Sequence, residues 1–184
     1  FDALEKEPDV RLNYASNVGQ LDSPDIIIIP GTKNTIKDLS WLKESGLADR
    51  ILSAINHKLA TALIGICGGY QMMGEKIYDN HCIESKKKEI NGLRVLPIVT
   101  FLKKEKILTQ VKAEELNSGL KVSGYEIHHG QSSKPFKHNP VFKVTERAGK
   151  IVKDFDGTLL NEGNIWGTYI HGVFDEDNFR RNLL

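Results

Sequence analysis

A chain of 184 residues with 40% hydrophobic and 27% charged side chains has enough apolar material for one globular core. Lysine and arginine number 25 against 24 aspartate and glutamate, a net charge of +1, so no global field favours nucleic acid or an anionic membrane. The two cysteines, Cys67 and Cys82, are too few for a disulfide framework and lack zinc-site spacing; with no membrane-length apolar run and no signal peptide, a cytoplasmic protein without a metal site is expected.

Residues 10–14 alternate and read as a short strand. Residues 25–29 are a continuous apolar run behind Asp25, ending at Pro30 and Gly31, as in a parallel strand buried on both faces. A polar loop with capping residues, 32–35, follows. Apolar positions at Ile36, Leu39, Trp41, Leu42, Leu47, Ile51, Leu52 and Ile55 then predict one or two helices, broken at Gly46. A strand is predicted at 61–66 and a short helix after Cys67. The first half is thus β-α-β-α, the pattern of a parallel sheet covered by helices. Lys86, Lys87 and Lys88 read as a solvated loop. The second half predicts short strands at 90–99, 101–103, 107–112, 120–128, 141–145, 150–155 and 165–170, separated by turn signals. Phe1 in place of Met, and a helix-like run at 175–184 that stops abruptly, are expected of a piece of a longer polypeptide.

Residues 61–74, TALIGICGGYQMMG, carry the strongest chemical signal. Gly65 and Gly69 flank Cys67 two residues on either side, between an apolar strand and a helix. That spacing suits a nucleophile held in a sharp turn, where neighbouring side chains would clash. The helix start would aim N–H groups at the sulfur and lower the thiol pKa, so Cys67 is expected to react faster than Cys82 at mildly acidic pH. The same stretch also reads as strand-turn-helix around an inert buried cysteine. A nucleophile needs a base and oxyanion donors. Six histidines are present: His57, His81, His128, His129, His138 and His171. His171 follows the predicted last strand, so it would reach the same sheet edge as Cys67, although a strand-end structural histidine fits equally. Gly68 N–H and the backbone at Gly31 or Thr32 could supply donors. Gln71, one helical turn after Cys67, could face the same pocket or solvent.

GICGGYQ at 65–71 resembles the GICxGxQ motif of class I glutamine amidotransferases. With PGTKNTIKDLSWLKESG at 30–46, SGYEIHHGQS at 123–132 and GTYIHGVFD at 167–175, the whole chain resembles the C-terminal glutaminase domain of the cobyric acid synthase family. The resemblance implies an α/β fold with an open, mostly parallel, flavodoxin-like sheet flanked by helices, and antiparallel strands added in the second half, in one domain over 1–184. It implies that Cys67 attacks glutamine to form a γ-glutamyl thioester, with His171 as base and then acid. Gly31, Thr32 and Gly68 would form the oxyanion hole. Gln71, Tyr125, Glu126 and His128 would bind glutamine or line its pocket. One departure is notable: ordinary class I members carry Glu two residues after the histidine, and this chain has Val173, so a Cys–His dyad is expected. Glu126 or Asp175 could orient the imidazole. No GxxxxGK[ST] phosphate loop occurs. No cofactor is therefore expected in this domain; ATP and Mg2+ would belong to an N-terminal synthetase domain of the same polypeptide, which would also hold the corrinoid acceptor. The chain alone would be at best a weak glutaminase.

Within the resemblance, cobyrinic acid a,c-diamide synthase and the glutaminase subunit of peptidoglycan-precursor amidation are alternatives. A cysteine α/β-hydrolase also fits the elbow, with Asp154 or Asp156 as its acid, but leaves Gln71 and the 123–132 stretch unexplained. An inactive binding module has the missing carboxylate at Val173 as its support.

Overall fold

Four consecutive isoleucines, Ile26–Ile29, form β1, and Ala62–Ile66 form β2, buried throughout. A computed structural model describes residues 1–57, 59–133, 139–160 and 164–184; His138 lies outside them. β1 and β2 pair in parallel, Ile26 beside Ala62 and Ile29 beside Gly65. The 36–55 apolar pattern becomes α2 (Thr35–Glu44) and α3 (Leu47–Asn56), after a one-turn α1 (Asp2–Glu5). Asn34 caps α2 by accepting from Lys37 N–H, and Gly46 breaks the pair at φ 78°. Ile36, Leu39 and Leu42 of α2 are buried. Each such side chain contributes about 1.5–3 kcal/mol, so the apolar face decides that this segment packs as helix.

Cys67 follows β2 and α4 (Gly68–Met73) begins at once. β10 (Ile165–Thr168) pairs in parallel with the other side of β2, and β9 (Thr158–Leu160) closes that edge antiparallel, giving the order β1-β2-β10-β9. The three parallel strands therefore deliver Gly31, Cys67 and the segment leading to His171 to one carboxyl edge.

A second, largely antiparallel sheet has the order β11-β6-β5-β3-β4, with β7 on β5 and β8 on β7. Its strands are β3 (Lys76–Tyr78), β4 (Glu89–Asn91), β5 (Val99–Glu115), β6 (Lys121–Ser132), β7 (Phe142–Arg147), β8 (Lys150–Asp156) and β11 (Ile170–His171). These are the antiparallel additions expected of the second half. α5 (Asp177–Leu183) ends the chain.

Several expectations are corrected. Residues 10–14 form no strand, and their alternation is not matched by a partner. The 90–99 strand is β4 and the start of β5 with a turn between them. The 101–103 and 107–112 strands are one strand, β5, whose register against β6 shifts between Leu102 and Ile107. The 165–170 strand is two: β10 in the first sheet and β11 in the second, separated at Tyr169. β3 and β9 were not expected. Lys86–Lys88 lie exposed in a loop, as read.

Candidate active site

Cys67 occupies a strained turn, φ 51° and ψ −104°, between β2 and α4. The turn is tight because a Cβ on Gly69 would fall 1.9 Å from the Ile29 carbonyl oxygen. α4 therefore rests directly on the end of β1, and only glycine permits that approach. The Cys67 N–H donates to the Thr168 carbonyl at 2.7 Å, which ties the turn to the end of β10. The thiol lies 3.5 Å from the Ile127 carbonyl, to which it can donate.

Gly31 brings the principal groups together. A Cβ there would lie 2.8 Å from His171 Cε1, 3.6 Å from His171 Nδ1 and 3.6 Å from Cys67 Cβ. A Cβ on Gly68 would lie 3.1 Å from the Thr32 nitrogen, so the Gly68 and Thr32 backbones also converge. Gly68 N–H favours the charged form of the Cys67 sulfur. The N–H groups of Gly31 and Thr32 have no hydrogen-bond partner among the described residues. The backbones of Gly31, Thr32 and Gly68, the three predicted donors, therefore converge beside Cys67.

The electrostatics differ from the expectation for the thiol. Burial pushes the Cys67 thiol up to about 12, and the Gly68 N–H offsets this only in part. Nearby Glu84 and Asp156 raise it further and Lys106 lowers it. The helix-start effect is local and α4 is short, so desolvation wins and the resting form is a neutral thiol. His171 is also shifted by burial, downward, which keeps the imidazole neutral near pH 7. Its Nε2 is buried with no hydrogen-bond partner among the described residues. Instead, the ring is held flat against Tyr125, with centroids 5.0 Å apart and planes 6° apart. That stack follows from the β11–β6 register, which sets His171 beside Tyr125.

Of the two carboxylates expected to orient His171, Glu126 is committed elsewhere. Glu126 is buried and accepts two hydrogen bonds from Arg147, both 3.0 Å. Arg147 also donates to Asp154 at 2.7 Å. The Asp175 carboxylate lies over Gly172, where a Cβ would meet Oδ2 at 3.1 Å. Val173 is buried.

The remaining predicted residues brace the site. Gln71 is buried, accepts from the Thr35 hydroxyl at 3.1 Å and donates to the Tyr169 hydroxyl at 3.3 Å. His128 Nδ1 lies 2.6 Å from the Gly130 carbonyl, which can only accept, so the ring carries its proton there. The same ring stacks on Tyr169 with centroids 3.9 Å apart, and burial lowers its pKa. Thr32 donates its hydroxyl to Asp38 and accepts from Asn34 N–H at 3.2 Å.

Glu84 escaped sequence reasoning. Fully buried Asp79 accepts from the N–H groups of Ile83, Glu84 and Ser85 at 2.7–3.0 Å and folds that loop back. Glu84 then accepts from Ile36 N–H at 3.2 Å and the Thr35 hydroxyl at 3.3 Å, at the start of α2. Burial raises its pKa. Nothing in the local pattern 79–85 signals this role. Among the described residues, no group of three or more His, Cys, Asp or Glu is arranged to hold a metal, and no helix is long and apolar enough to cross a membrane.

A cysteine at the carboxyl edge of a parallel sheet, a neutral histidine beside it and converging backbone N–H groups are the parts that nucleophilic attack by sulfur needs. A solved glutamine amidotransferase superposes with a TM-score of 0.67 at 15% identity, covering 99% of this chain and 88% of that one. The PurLQS structure from Thermotoga maritima follows at 0.59 and 16%, covering 86% and 78%. The model of the CobB/CobQ-like glutamine amidotransferase domain matches residues 1–179, and the chain belongs to that family. Cobyric acid synthase of Clostridium botulinum (strain Loch Maree / Type A3) is 44% identical over the whole chain and that of Moorella thermoacetica 43%, this chain covering 37% of each. The bifunctional adenosylcobalamin biosynthesis protein CobDQ of Leptospira interrogans is 44% identical, with 20% of its length covered. The chain thus spans well under half the length of these relatives.

Proposed function

We propose that this chain is the glutaminase part of a cobyric acid synthase, releasing ammonia from glutamine for ATP-dependent amidation of corrinoid side-chain carboxylates by an N-terminal synthetase region, in the cytoplasm. The observation that carries the glutaminase reading is the convergence of Cys67, His171 and the Gly31 backbone at one sheet edge. The likeness to cobyric acid synthases over the full chain supports the acceptor.

Cys67 attacks the carboxamide carbon of glutamine as His171 accepts the thiol proton. Because the resting thiol is neutral, the proton leaves with the attack rather than before it. The carbonyl oxygen takes the negative charge among the N–H groups of Gly68, Gly31 and Thr32. Collapse breaks the C–N bond, and His171 gives its proton to the departing ammonia. Water then cleaves the thioester, returning glutamate and the thiol. Tyr125 holds the imidazole in place of a carboxylate, which suits cysteine because sulfur needs less help than a serine oxygen. Gln71, Glu126 and His128 keep the pocket wall in shape.

The test is glutamate release from glutamine, by this chain and again with the synthetase region, ATP, Mg2+ and corrinoid present. Cys67→Ser and His171→Ala abolish it, and Cys82→Ser leaves it intact. Activity surviving in Cys67→Ser overturns the reading. Silence of the unaltered chain in both settings moves the assignment to the inactive binding module. Changing the corrinoid acceptor separates this reading from the related amidotransferases.

A further inference from the structure

The two halves of the proposed dyad sit in different sheets. Cys67 follows β2 of the first sheet, and His171 belongs to β11 of the second. Their separation is set where β10 gives way to β11, at Thr168 and Tyr169. One buried carboxylate holds that junction. Asp156, at the end of β8, accepts from the Thr168 hydroxyl and from the Tyr169 N–H at 3.2 Å. Thr168 in turn accepts from Ile170 N–H at 3.1 Å on its hydroxyl and from Cys67 N–H at 2.7 Å on its carbonyl. Tyr169 reaches Gln71 at 3.3 Å and Ser132 at 2.7 Å through its hydroxyl. The backbone of the nucleophile and the strand carrying the base thus meet in one hydrogen-bonded node.

We propose that Asp156 is a positioning residue that sets the register between Cys67 and His171, acting through Thr168 and Tyr169 without touching substrate. The proposal rests on the reading of Cys67 as nucleophile and His171 as its base. A carboxylate is the side chain that can accept from both Thr168 and Tyr169 at once. Asp156 receives the Thr168 hydroxyl on one oxygen and shares the Tyr169 N–H between both; asparagine of the same shape replaces one of those oxygens with an N–H2 donor that faces either the Tyr169 N–H or the Thr168 hydroxyl proton.

A buried carboxylate with this task has a cost. Burial pushes Asp156 up to about 7. Glu126 on β6 raises it, and Arg147 on β7, Thr168 and the Tyr169 N–H lower it. Cys67, Tyr70 and Tyr169 also face it. As pH falls through about 7, Asp156 gains a proton and loses an acceptor position at the node.

The experiment measures the rate at which 6-diazo-5-oxo-L-norleucine, a glutamine-shaped electrophile, alkylates Cys67, read by peptide mass mapping between pH 5.5 and 8.5. In this probe reaction the thiol proton passes to the diazo carbon, sulfur bonds that carbon and dinitrogen leaves. The unaltered chain is labelled at Cys67, with a rate that declines below about pH 7 as Asp156 takes up its proton. Asp156→Asn lowers the plateau at least tenfold and loses the decline near neutrality, keeping only the lower His171 limb, in a sample whose thermal melt shows it folded. Thr168→Val, isosteric and buried, slows labelling similarly, and Thr168→Ser restores it. Asp156→Asn and Thr168→Val labelling at the unaltered rate with the same pH profile overturn the proposal. Absence of Cys67 labelling in the unaltered chain overturns the nucleophile reading instead, so the two failures are distinct.

Discussion

Gly31→Ala isolates the geometry on which the proposed chemistry depends. Gly31 is not in the left-handed region, so alanine is conformationally acceptable there. The added methyl would lie 2.8 Å from His171 Cε1, where ordinary contact begins near 3.4 Å. The imidazole must therefore give by about 0.6 Å, or tilt away from Tyr125. A displacement of about 1 Å in a reacting group costs about 100-fold, so kcat for glutamate release should fall about 10- to 100-fold. That is about 1.4–2.8 kcal/mol of barrier. The fold should be almost indifferent, within about 1 kcal/mol, because the clash is with one ring and alanine restricts the unfolded chain. The assay is glutamate release across a range of glutamine concentrations, beside a thermal melt of the same sample. A Gly31→Ala protein with unaltered kcat would refute the argument that Gly31 is kept bare for His171 and Cys67.

Gly69→Ala should do the opposite and fail as a fold. Its methyl would meet the Ile29 carbonyl oxygen at 1.9 Å, which no side-chain rotation relieves, so soluble protein with a normal melt by circular dichroism would contradict the packing of α4 on β1. For a small haloacetamide at pH 8, exposed Cys82 should be modified before buried Cys67, whose thiolate fraction rises about tenfold per pH unit below about 12. Cys67 reacting first would show that the Gly68 N–H and not desolvation governs the thiol.

The legible parts of this fold are those where pattern and burial coincide. Ala62–Ile66 is apolar without interruption because both faces are covered, whereas Ile26–Ile29 buries one face and only half covers the other, and α2 and α3 part at a glycine in the left-handed region. Cys67 and His171 were legible together because each closely follows a strand of one parallel set. β5 was misread because Lys103, Lys104, Glu105 and Lys106 are exposed, so no alternation marks them as strand. The β10–β11 junction was invisible because 165–170 reads as one buried run whose Thr168 is common in strands, and what divides it is Asp156, twelve residues before Thr168. The thiol was misjudged for a related reason. The helix start is local and readable, whereas desolvation comes from the burial of the sulfur once the chain is packed. Glu126, read as lining the pocket, is drawn away by Arg147, a partner whose register across β5 and β7 no local pattern conveys.

The most direct test of the central claim is to mix the protein with glutamine, quench in acid within the first turnovers, and map the mass of every cysteine peptide. A γ-glutamyl adduct on the Cys67 peptide, absent from the Cys82 peptide and lost in Cys67→Ser, is the predicted result. Glutamate formed with no adduct on Cys67, or with the adduct on another residue, would contradict it.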